Sequence, residues 1–158
     1  MLLSSFKHKQ QRLESDCLVA CVEMVLEYLH MPITHTQIAK RLRAESFGTP
    51  FGNTRFLTAL GLTVTIEYEG TVEIFEPYWA MGLPVIVNVK TIGWTHWQNE
   101  ETYHAVVVVG IDYDNQLIFI HDPFFSHAPI ELTFTTFLVG WEEQRRQYAV
   151  IGLAELYE

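Results

Sequence analysis

Leu18, Val19, Val22, Val25, Leu26 and Leu29 recur at the spacing of one helical face, directly after Ser15 and Asp16, both good N-cap residues. The pattern predicts a helix from about Cys17 to His30, stopped before Pro32. Thr34-His-Thr-Gln37 has the form of a capping box and opens a short basic helix through Arg43. Glu45 to Asn53, with Gly48, Pro50 and Gly52, reads as a loop. A brief helix capped by Asn53 or Thr54 then runs to Gly61.

Alternation replaces helical spacing at Leu62-Thr-Val-Thr-Ile-Glu-Tyr68, which predicts a strand. A helix from Thr71 through Trp79 follows, ended by Gly82. Strands are expected at 84–90, 104–111, 116–121, 129–133 and 148–156, with a turn of helix at 134–139. Helices first and an antiparallel sheet afterwards define an α+β fold. One connection stands out. Residues 91–103 carry Trp94, His96 and Trp97, a high density of large side chains for a loop.

Composition narrows the function classes. The 158 residues form one expected domain, 1–158, large enough for a real core, and 49% are hydrophobic. A formal charge of −9 argues against nucleic acid as a partner. The longest apolar run, Ala105 to Ile111, is far short of the ~20 residues that span a bilayer. With no secretory h-region and two cysteines four apart, the expected setting is reducing and cytoplasmic. No cofactor is implied. Cys17, Cys21, His30 and His35 lack a familiar zinc spacing, so no metal is expected.

Cys17 is the candidate nucleophile. At the first turn of its helix, unpaired N–H groups and the positive dipole end favour a thiolate. An unpaired cysteine is by default a small buried apolar residue, and mid-helix Cys21 keeps that reading. Gln11, six residues before Cys17, can offer an amide to a developing oxyanion, although neighbouring Gln10 is an equal candidate by spacing. A base and an acid come from one predicted hairpin. If its loop is the three residues 113–115, with Asn115 left-handed, residue 106 pairs with 122. His104 and Asp122 are then diagonal neighbours on one face, and His121 lies on the other.

Gln11-x5-Cys17 followed by Ala20-Cys21, then His104-Ala-Val-Val-Val-Val-Gly-Ile-Asp112 and Ile118-Phe-Ile-His-Asp122-Pro123, resembles the motifs of the C39 cysteine peptidases. Gly82-Leu-Pro84-Val-Ile-Val is similar too. The resemblance spans nearly the whole chain. It implies a papain-like fold, with Cys17 as nucleophile, His104 as base and acid, Asp122 orienting the imidazole and Gln11 in the oxyanion hole. It also implies a peptide or protein substrate, and family members often cut leader peptides after paired glycines. The same residues would serve an isopeptidase or an acyl transferase, and a non-catalytic peptide-binding module is the alternative outside enzymes. Two departures carry expectations. Leu18 stands where the family commonly has glycine and should crowd the cleft, and the long loop 91–103 should cover or reshape the substrate groove.

Overall fold

The computed structural model describes residues 1–154. Four α-helices, α1 (Cys17–Tyr28), α2 (His35–Arg41), α3 (Phe75–Ala80) and α4 (Phe134–Glu142), accompany six strands. These are β1 (Leu62–Glu67), β2 (Val85–Lys90), β3 (Tyr103–Asp112), β4 (Leu117–His121), β5 (Ile130–Thr133) and β6 (Tyr148–Leu153). All pair antiparallel in one sheet of order β1-β6-β2-β3-β4-β5. The α+β class expected from the pattern is the one observed.

The helices do not gather on one side of the sheet. One core contains α1, α2 and the inward residues Ile86, Ala105, Val107 and Val109. The other contains α3, α4 and the alternate positions Val85, Val87, Val106 and Val108. With both faces of β3 covered, its side chains from His104 to Ile111 are buried, which explains an unbroken apolar run in place of alternation.

Several boundaries moved for identifiable reasons. The segment before Gly61 is a 3-10 helix that starts earlier than expected, at Phe51, and Gly61 ends it with φ 79°. Thr71 precedes a single 3-10 turn, and α3 begins only at Phe75. Helix α4 starts where predicted, capped by the Thr133 side chain that accepts from the Thr136 N–H, and runs past the predicted turn to Glu142. The last strand stops at Leu153, and the predicted positions 155–156 lie outside the described residues. The capping box at Thr34 and Gln37 forms in both directions.

The loop between β2 and β3 is an ordered element. Thr91 clasps its ends, its N–H donating to the Thr102 carbonyl and its hydroxyl to the Glu100 carbonyl. Trp94 anchors it in the core, with 0% of its surface exposed. Gly140 of α4 makes this packing possible, because a side chain there would collide with the Lys90 carbonyl and crowd the Trp94 indole.

The amino-terminal arm runs back across the sheet. Its Leu3 N–H donates to the Val109 carbonyl and its Gln11 N–H to the Pro123 carbonyl, both at 2.7 Å. Gln11 is thereby tied to the segment just after β4.

Candidate active site

Helix α1 brings Cys17 to the mouth of a cleft of about 530 Å³, partly exposed at its first turn. The expected side-chain cap is absent, since Asp16 occupies the N-cap position without bonding the helix. Its Oδ2 lies 3.3 Å from His35 Nε2, but the alignment is too poor for a hydrogen bond and both atoms are left without one. Ser15 donates its hydroxyl to the Ser46 carbonyl instead. No side chain therefore competes with the sulfur for the N–H groups at the helix start.

His104 opens β3 and Asp122 follows β4. His104 Nε2 lies 2.6 Å from Asp122 Oδ1, with both side chains buried. An ionised carboxylate only accepts, so this ring nitrogen carries the hydrogen and Nδ1 is left for the Cys17 thiol. Burial pushes the Cys17 thiol up, but the hydrogen bond and charge of His104 outweigh it, helped by the Ala105 and Leu18 backbone N–H groups. The net result is a thiol below its ordinary range. For His104, burial pulls downward, yet the charge and hydrogen bond of Asp122 and then the contact with Cys17 raise it to about 9. Burial acts upward on Asp122, and the charge and hydrogen bonds around it hold its carboxyl well below the usual carboxylate range. The arrangement can hold a thiolate against an imidazolium at neutral pH.

Asp122 has more partners than the sequence suggested. The Phe124 N–H donates to Oδ1 at 3.0 Å, and the Trp97 indole N–H donates to Oδ2 at 2.9 Å. His96 Nε2 also lies 2.9 Å from Oδ2. Trp97 packs edge-on against the His104 ring with centroids 5.1 Å apart, screening the histidine–aspartate bond from water. His96 and Trp97 are functional candidates that spacing could not assign. Their only sequence signal was aromatic density in a connecting loop.

The two expectations about obstruction fare differently. In loop 91–103, Trp94 is buried in the core and His96 turns to Asp122, while Trp97, Glu100, Thr102 and Tyr103 line the cleft and so shape it. Leu18 is 2% exposed and packs into the core between α1 and the sheet, so it floors the cleft without filling it.

Gln11 is placed less simply. Its side-chain N–H groups donate to the Leu13 carbonyl at 2.9 Å and the Glu14 carbonyl at 2.7 Å. Its Oε1 is buried without a partner. The structure thus brings Cys17, His104 and Asp122 together and holds the Gln11 amide in the turn that precedes the helix. Gln10 donates to the Phe124 carbonyl. Cys21 is fully buried, its thiol pushed well up by burial and by the nearby Cys17 and Asp122, and it donates to the Ala105 carbonyl. His121 faces away from His104 and Cys17, toward Phe6 and His8.

A six-stranded antiparallel sheet with a cysteine helix on one side and a histidine–aspartate pair at its strand ends is a papain-like peptidase fold. The chain belongs to the Peptidase_C39 like family, whose profile matches residues 3–149. Solved structures agree on the fold. A candidate C39-like peptidase from Bacillus anthracis has a TM-score of 0.74 at 16% identity, over 99% of this chain and 98% of that one. The peptidase domain of Streptococcus ComA, a bifunctional ABC transporter of a quorum-sensing pathway, gives 0.67 at 20% identity, over 96% and 99%. A double-glycine-motif protease from an AMS/PCAT transporter, solved in complex with the leader peptide, gives 0.56 at 18%, over 92% and 88%. No curated protein matches the sequence significantly.

Proposed function

We propose that this protein is a cysteine peptidase that cleaves a peptide in the cleft beside Cys17. The single observation that carries the reading is the His104–Asp122 pair at 2.6 Å, with the remaining imidazole nitrogen turned to a thiol whose pKa is lowered. The Cys17 thiolate attacks an amide carbonyl, and charge develops on the carbonyl oxygen next to the unpaired N–H groups of the α1 start. Imidazolium Nδ1–H gives its proton to the leaving amine, which departs and leaves a thioester on Cys17. His104 then takes a proton from water, the hydroxide attacks the thioester, and the acid product leaves with Cys17 restored as the thiolate.

Gln11 adds an oxyanion donor at a cost. Its amide must release one of the two turn carbonyls, worth about 1 kcal/mol, for a contact worth about 3 kcal/mol in the transition state. The cleft suits an extended peptide with bulky apolar residues. Phe47, 84% exposed, together with Phe51, Tyr103 and Phe124, offers aromatic surface along it. Glu14 and Glu100 also line it, and no lysine or arginine does, which disfavours acidic stretches of substrate at those positions.

A synthetic peptide library, with and without paired glycines, followed by mass spectrometry tests the proposal. Cleavage by the native protein and none by Cys17→Ala is expected. A Cys17 thiol that ionises near the ordinary ~8.5, with no peptide cleaved, would overturn it.

A further inference from the structure

Asp122 is shared by two histidines. His104 takes Oδ1 at 2.6 Å and His96 takes Oδ2 at 2.9 Å, from a loop with no other evident reason to carry an imidazole at that point. Because an ionised carboxylate cannot donate, His96 Nε2 must carry the hydrogen in this contact. The ring is held in place from both sides. It stacks on Trp94 with centroids 5.6 Å apart and meets Phe125 edge-on at 4.9 Å. Its orientation is therefore fixed before any substrate arrives, and its side chain is only 13% exposed.

We infer that His96 is a positioning residue that limits how strongly Asp122 holds the proton of His104. This rests on the peptidase reading given above. A carboxylate that already accepts three other hydrogen bonds, from His96, Trp97 and Phe124, has part of its charge engaged away from His104. Withdrawing one donor concentrates that charge on the remaining contacts, and the imidazolium becomes a weaker acid. In catalysis His104 must both keep its proton opposite the thiolate and surrender it to the leaving amine. Unshared, Asp122 favours the first at the expense of the second. His96 restores the balance.

The titratable groups facing this pair are few. Helix α1 presents Cys17 to His104, with Cys21 close enough to be affected by Asp122, and the loop presents His96. His121, next to Asp122 in sequence, is directed to His8 and Phe6 on the other side of β4.

The test compares His96→Phe, which keeps a ring between Trp94 and Phe125 but removes the donor, with His96→Gln, which restores an N–H. Histidine-selective NMR titration of the intact chain reads the His104 midpoint directly, without any substrate. In His96→Phe it should rise by about 0.5–1 pH unit, and His96→Gln should return it toward the native value. Turnover of any cleaved peptide should fall in kcat more than in KM for His96→Phe and recover in His96→Gln. Coincident native and His96→Phe midpoints would overturn the inference. So would a shift that His96→Gln fails to reverse, which would mark His96 as a packing residue. A native His104 midpoint near the ordinary ~6.5 would instead sink the ion pair on which the peptidase reading stands, so the two failures are distinguishable.

Discussion

His104 and Asp122 meet at 2.6 Å because a bulge at Val109 corrects the hairpin that joins them. At the tip, Asp112 pairs with Leu117 and Gly110 with Phe119, a register one residue longer than a three-residue loop gives. The left-handed residue at the tip is Gln116, with φ 54°, not Asn115. Between Val108 and Gly110 the register shifts, and from there Val108 pairs with Ile120 and Val107 with His121. Carried one step on, 106 lies opposite 122. Without the extra residue in β3, Asp122 would point to the opposite face from His104.

Thiol chemistry gives the most direct check on this pair. His104 carries its proton up to about pH 9, and the Cys17 thiol sits below its ordinary value, so a thiolate–imidazolium pair spans the interval between. Below about pH 8, alkylation of Cys17 should be faster in the native protein than in His104→Ala, because removing the imidazole removes the hydrogen bond and charge that lower the thiol. Peptide turnover should decline above pH 9, where His104 no longer has a proton to donate. Asp122→Ala should behave like His104→Ala in the alkylation assay.

Gln11 separates binding from activation. Replacing it with alanine should leave the alkylation rate within about twofold, since neither thiolate partner is touched. Turnover should drop by about tenfold to a hundredfold, the oxyanion contact less the turn bonds that the native side chain gives up. Loss of alkylation together with turnover would show that Gln11 matters only for the shape of the turn.

Acid should loosen the amino-terminal arm. Burial, with His8 alongside, pulls His121 down to about 4. His8 and His121 face each other through their Nδ1 atoms at 3.1 Å, and His8 Nε2 meets the Phe125 carbonyl at 2.6 Å. That carbonyl only accepts, so His8 Nδ1 is the acceptor and His121 the donor. The unfolded chain binds this proton near pH 6.5 and the folded chain only near 4. The contribution is therefore complete above 6.5 and disappears as pH falls through 4, by on the order of 3 kcal/mol. Urea midpoints between pH 7 and 4 should fall with this slope, and His121→Phe should flatten it.

Gly140 tests the loop from behind. Gly140→Ala puts a methyl group against the Lys90 carbonyl and the Trp94 indole, which should cost about 1–3 kcal/mol. Because Trp94 carries the ring of His96, the His104 midpoint should rise as well, as in His96→Phe. Lower stability with an unchanged midpoint would mean that the loop holds its place without Trp94.

Much of this site was legible in the chain itself. A cysteine at a helix start, a histidine at the head of an apolar strand and an Asp-Pro after the next strand are local patterns, and local patterns survive folding. The hairpin register was right at Asp122 for an incomplete reason. A loop one residue longer than expected and an unforeseen bulge cancel each other. His96 and Trp97 were noticed only as oddities because their partner is a carboxylate more than twenty residues away, reached across two strands. The Gln11 contacts lay beyond sequence reasoning too, since the turn carbonyls that take its amide acquire direction only once the chain is folded.

One residue, Ala105, stands between the two cysteines. The Ala105 N–H faces the sulfur of Cys17, and the Ala105 carbonyl receives the thiol of Cys21. The buried cysteine thus ties down the residue whose N–H supports the reactive one. A shorter or longer side chain at position 21 would loosen Ala105, and with it an N–H that helps to lower the Cys17 thiol.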